Sequence, residues 1–262
     1  MSTEKQIIQS VRRNDIDGLK KSLRFGFCPN TKLRPLTKYD RPHSSNHYID
    51  IGHGITLLHF ACSMSIIKYT DKFNEIHEPP IEIIKYLIEL GADVNKLDKN
   101  RYSPLHYACI MSFKLFDRNG IKDDRVVKLL VENGANVNIK TVDNYTPLFL
   151  VAMNCQCINF DYVEKLIKYL IKNGAKIRTG KKTKMNILPV LYCNLMPQSQ
   201  KNVLNLIEYL IDSGANPNGR DEHGKTTLYY AEHFRNAEHV ELLIKKMQNK
   251  QLLIDKVYSK MI

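Results

Sequence analysis

Gly91 to Ala108 reads GADVNKLDKNRYSPLHYA, and the same frame returns at Gly134 (GANVNIKTVDNYTPLFLV), Gly174 (GAKIRTGKKTKMNILPVL) and Gly214 (GANPNGRDEHGKTTLYYA). In all four the distance from the Gly to a Thr-like residue is twelve: Gly91 to Ser103, Gly134 to Thr146, Gly174 to Asn186 and Gly214 to Thr226. Chance apolar patterning does not hold a spacing constant, so the chain is read as a repeat protein before any other reading is tried.

The residues before each Gly carry a helical pattern. Ile84, Val127, Ile167 and Ile207 lie seven before it, Leu87, Leu130, Leu170 and Leu210 four before, and Ile88, Val131, Ile171 and Ile211 three before. Spacings of three and four place them on one helical face. The Gly closes that helix, because it adopts a left-handed conformation without a Cβ clash. At the other end of the interval, Ser103-Pro104 and Thr146-Pro147 supply an N-cap hydroxyl and a Pro suited to the first helical position. Each unit is therefore an inner helix, a turn, an outer helix and a Gly-initiated excursion to the next unit.

LLHFA at 57–61, SPLHYA at 103–108, TPLFLV at 146–151 and TTLYYA at 226–231 resemble the T-P-L-H-x-A signature of the ankyrin repeat family, and the Gly-Ala pairs match its outer-helix ends. The resemblance implies an all-α ankyrin repeat solenoid with short β-hairpin-like tips. About six helix-turn-helix units are expected over residues 1–262 as a single domain, with repeats beginning near 5, 56, 103, 146, 186 and 226. Successive Thr-like positions are 47, 43, 40 and 40 apart, so the surplus over the family period of about 33 falls in elongated inter-helix turns. Residues 31–53 read as a loop insertion and 248–262 as a C-terminal cap that folds back. At Asn186-Ile187-Leu188-Pro189 the signature is lost, and that unit is assigned from register.

Composition narrows the function. The 262 residues carry a formal charge of +12, with a pI near 9.3, which favours acidic partners. The opening MSTEKQIIQSVRRND has charge where a signal peptide needs an apolar core, so an intracellular location is expected. The six cysteines then read as reduced thiols. Cys62 and Cys109 follow Ala61 and Ala108 at one helix-packing position in two copies.

Several matches point to chemistry and are weighed against a plainer reading. Gly219 to Thr226, GRDEHGKT, satisfies the phosphate-loop pattern letter for letter, but that loop needs a buried strand before it, and GANPN precedes it here. It is read as a repeat turn. His43, His47 and His53 with Asp50 lack the fixed ligand pairs of a zinc site and read as a solvated loop; Cys155 and Cys157 are a poor metal pair. His59 and His106 stand at the signature His, which the resemblance makes a hydrogen-bonding residue within and between turns. No cofactor, metal or catalytic residue is assigned, and the protein is read as no enzyme.

The stretch 176–184, KIRTGKKTK, has five cations in nine residues. With the interval fixed, the tips should align along one edge, and the partner-binding candidates are Lys96, Lys99, Arg101, Lys140, Arg178, Lys181, Lys182, Lys184, Arg220 and Lys225. The expected function is protein binding through a concave face of inner helices and tips, by a monomer, to a protein with an acidic surface. No membrane partner is expected. Nucleic acid is the competing class, although the aromatic stacking positions of single-strand binders are missing. The lengthened turns and the Lys-, Ile-, Asn- and Tyr-rich composition look like ankyrin proteins of large DNA viruses, and next like effectors of intracellular bacteria. That likeness implies interference with a host cytoplasmic or nuclear pathway. Many such viral proteins end in an F-box-like segment that recruits a ubiquitin ligase; the stretch after Met247 is too short for one, so an adaptor role is not expected.

Overall fold

The computed structural model describes residues 3–23, 28–34, 54–64, 80–112, 123–154, 160–177, 186–194 and 200–258. Its elements are helices in pairs: α1 (Thr3–Arg12) with α2 (Ile16–Leu23), α3 (Leu57–Ser63) with α4 (Ile81–Glu89), and α5 (Pro104–Met111) with α6 (Arg125–Glu132). There follow α7 (Pro147–Asn154) with α8 (Phe160–Lys172), α9 (Ile187–Asn194) with α10 (Gln200–Asp212), and α11 (Thr227–His233) with α12 (Ala237–Tyr258). The chain forms two compact units, Met1–Leu150 and Val151–Ile262, each described by itself below.

The outer helices end as their Gly residues require. Gly91, Gly134, Gly174 and Gly214 have φ between +83° and +104°. The following Ala donates to the carbonyl five residues back, as in Ala92 to Leu87 at 2.9 Å and Ala215 to Leu210 at 2.8 Å. This closes two orphan carbonyls per helix end.

The core rows differ by one position from the sequence pattern. The rows seven and four before the Gly are buried as expected, with Leu87, Leu130, Leu170 and Leu210 at 0% exposure. The third row, Ile88, Val131, Ile171 and Ile211, is only half-buried; its place in the core is taken by Ile83, Val126, Leu166 and Leu206, eight before the Gly. The apolar stripe is rotated toward the inner helices, since each outer helix must face both its own inner helix and the neighbouring pair.

Inner helices α3 and α5 are buried along their whole length, including Cys62 and Cys109, whose thiols burial pushes up. The four described cysteines carry no disulfide. Among the described residues of unit 1, α3 and α5 expose no side chain, whereas α1, the tips and the outer helices do. A second correction concerns the C-terminus. No Gly or Pro interrupts the sequence after Ala237, and α12 runs unbroken to Tyr258, where a cap folding back from 248 was expected. The insertion at 31–53 falls almost wholly outside the described residues.

Candidate functional site: the turn tips

Each of the three described tips is a tight turn organised by the residue seven after the Gly. Asp98 accepts hydrogen bonds from the N–H of Asn100 at 2.9 Å and of Tyr102 at 2.8 Å, and its second oxygen accepts from the Tyr107 hydroxyl at 2.8 Å. Asp221 repeats the arrangement with the N–H of His223 at 2.9 Å, the N–H of Lys225 at 2.8 Å and the Tyr230 hydroxyl at 2.6 Å. Burial raises the Asp221 pKa, but the hydrogen bonds from Tyr230, Lys225 and His223 outweigh it and hold the carboxyl below its ordinary value. In the third copy Thr141 takes the position, its Oγ1 accepting from the Tyr145 N–H at 3.1 Å. The Asp and its Tyr travel together. Thr141 is accompanied by Leu150 where the other copies have Tyr107 and Tyr230.

The residue ten after the Gly is left-handed in every described copy: Arg101 at φ +63°, Asn144 at +65° and Gly224 at +74°. Gly and Asn take that conformation at little cost; an Arg pays about 1–2 kcal/mol. The turn is otherwise backbone-closed, with Asp98 N–H to the Tyr102 carbonyl at 3.0 Å and Asp221 N–H to that of Lys225 at 2.9 Å. These turns are the hairpin-like tips; among the described residues, bridge pairing is confined to single pairs such as Arg220 with Thr226.

Beneath the tips of unit 1, side chains lock successive repeats together. Thr56 N–H donates to His59 Nδ1 at 3.2 Å, which leaves Nε2–H to donate to the Tyr102 carbonyl of the following repeat at 3.1 Å. Ser103, His106 and the Tyr145 carbonyl repeat this at 3.0 and 3.2 Å. Burial lowers both imidazoles to a pKa of about 4, so they are neutral at pH 7. A second clip is made by Asn30 and Asn95, four after their Gly-frame positions. Asn95 Nδ2 donates to the Gly134 carbonyl at 3.0 Å while its Oδ1 accepts from Asn136 N–H at 2.7 Å. Asn30 does the same to Gly91 and Asp93 at 2.9 and 2.7 Å. Neither the Asp–Tyr pair nor the Asn clip was part of the sequence reading, though both recur at fixed offsets and could have been found there.

Gly219–Thr226 is a turn closed on a carboxylate. The buried Asp221 occupies its centre with negative charge, where a phosphate loop presents free N–H groups. Gly219 is required for another reason: a Cβ there would collide with the side chain of Asn186, a residue held in place by its backbone N–H, which donates to the Arg220 carbonyl at 2.9 Å.

Of the predicted cations, unit 1 places Lys99 and Arg101 exposed and Lys96 and Lys140 half-exposed. It brings two tips together, with Val142 N–H on the Asn100 carbonyl at 3.1 Å and Arg101 Nε on that of Lys140 at 3.3 Å. Unit 2 holds Arg220, with Nη1 on the Gly224 carbonyl at 2.7 Å, and Lys225, with Nζ 4.0 Å from the centre of the Tyr229 ring. Arg178, Lys181, Lys182 and Lys184 lie outside the described residues, as do His43, His47, His53, Cys155 and Cys157. Missed by the sequence reading was Val142, 54% exposed at the tip beside Arg101.

Two family models match. One, described as ankyrin repeats (many copies), covers residues 76–114, and one described as ankyrin repeat covers 100–142. No curated protein matches the chain. Helices and turns define the fold as an all-α repeat array, and over residues 76–142 the chain is similar to ankyrin repeats, which are generally protein–protein interaction modules.

Proposed function

We propose that the protein is a non-catalytic binding module that engages an acidic surface of another protein through its turn tips. The observation that carries this reading is Arg101. It holds a left-handed conformation at a position where Asn and Gly serve in the other described copies, and a strained residue that persists at a surface points to a role outside stability. Arg101 and Lys140 meet where the tip carrying the exposed Val142 pairs with its neighbour, and Lys99 is exposed on that neighbouring tip, so the paired tips expose three cations and one apolar side chain. Such a patch steers an acidic partner and seats one apolar side chain.

The lengthened inter-helix segments and the Lys-, Ile-, Asn- and Tyr-rich composition support a narrower assignment. We place the protein among pathogen proteins, of large DNA viruses first, that interfere with a host signalling or host-range factor in the cytoplasm or nucleus.

The test is affinity capture from cell lysate with wild type and the Lys99→Glu/Lys140→Glu variant, repeated at two ionic strengths. Captured proteins should be acidic, should fall away as salt rises, and should be lost in the variant. Partners returning undiminished on the variant would remove the tips from the site. Salt-sensitive retention of RNA or duplex DNA on filters, in place of protein capture, would turn the reading to nucleic acid.

A further inference from the structure

The helix α12 closes unit 2, and its two long faces differ. Toward α10 it presents Lys246, whose Nζ lies 2.7 Å from Asp212 and 3.1 Å from Glu208. Leu243 and His239 are buried beside it, the latter bonded through Nδ1 to the Tyr192 hydroxyl at 2.7 Å. The opposite face, at spacings of three and four, carries Ala237, Val240, Glu241, Ile244, Lys245 and Gln248, which line a shallow open groove. Ile244 is 41% exposed there. This side of the helix faces solvent, which suits polar side chains better than apolar ones. Val240 and Ile244 are not polar.

We propose that this face pairs with the same face of a second copy of the chain, the two α12 helices running antiparallel about a two-fold axis. Charge selects this occupant. The chain carries +12 overall, so two copies repel across most of their surfaces. Around this groove, however, Glu232 and Glu241 balance Arg235 and Lys245. The register is self-complementary as well. An antiparallel pairing that sets Val240 against the partner's Ile244 brings Glu241 beside the partner's Lys245, and symmetry makes each contact twice. The protein is then a dimer in place of the monomer expected from sequence.

Sedimentation velocity of the full chain over a concentration series tests this. A reversible monomer–dimer equilibrium with a dissociation constant on the order of micromolar is expected. Ile244→Glu should abolish it, and Glu241→Lys or Lys245→Glu alone should weaken it by about tenfold. The double variant Glu241→Lys/Lys245→Glu should restore it, because both members of each cross-copy pair are exchanged. All three substituted residues are exposed, and circular dichroism checks that the variants keep their helices. A chain that stays monomeric to about 1 mM, a dimer undisturbed by Ile244→Glu, or an exchange that fails to rescue would overturn the proposal.

Discussion

His59 and His106 show how a single side chain can serve two repeats, and each makes a pH-dependent contribution. Their folded pKa of about 4 lies below the ordinary 6.5, so the unfolded chain binds more protons between those values. Stability is therefore complete above pH 6.5 and falls as pH drops toward 4, by up to about 3 kcal/mol per imidazole. Denaturant titrations at pH 7 and pH 4.5 should show that loss, and His106→Gln, lower in stability at pH 7, should show a shallower one. At the other end of the chain, Thr227 stands at the first helical position, where two other copies have Pro104 and Pro147. Its hydroxyl is buried with no partner. Thr227→Pro removes the orphaned group and fixes φ in the unfolded chain, and a rise of about 1 kcal/mol in unfolding free energy is expected.

Among the elements, the outer helices separate two kinds of apolar position that sequence spacing treats alike. Leu87→Ala should cost about 2–5 kcal/mol, since it opens a cavity at a fully buried site. Ile88→Ala, one position further on and half-buried, should cost less than half as much in the same titration. The helices themselves were legible because Gly, Thr-Pro and the apolar rows are local signals. What was not legible is the rotation of the stripe, because it depends on which neighbour each face meets. The unbroken course of α12 to Tyr258 was misread for a related reason: an amphipathic segment has no local mark that says whether it turns back. In the tips, the cations were visible as charge, yet their surroundings were not. Arg220 bonds within its own turn and Lys225 lies on Tyr229, whereas Arg101 and Lys140 meet only because two tips pair through Val142.

For the whole molecule, scaffold and surface are divided within one interval. The Gly, the Asp–Tyr pair, the Asn clip and the capped His hold the repeats, and substitutions there act through stability. The residues between them at the tips contribute little to packing and are free to meet a partner. Arg101 lies on the boundary of the two. Replacing it by Asn, the residue at the same place in the next copy, relieves left-handed strain while removing the guanidinium. The most direct test of the account measures both properties of Arg101→Asn: unfolding free energy, and affinity for the acidic partner obtained by capture. Stability should rise by about 0.5–1 kcal/mol while affinity falls by about tenfold or more. An affinity equal to wild type would contradict the claim that the tips carry the function.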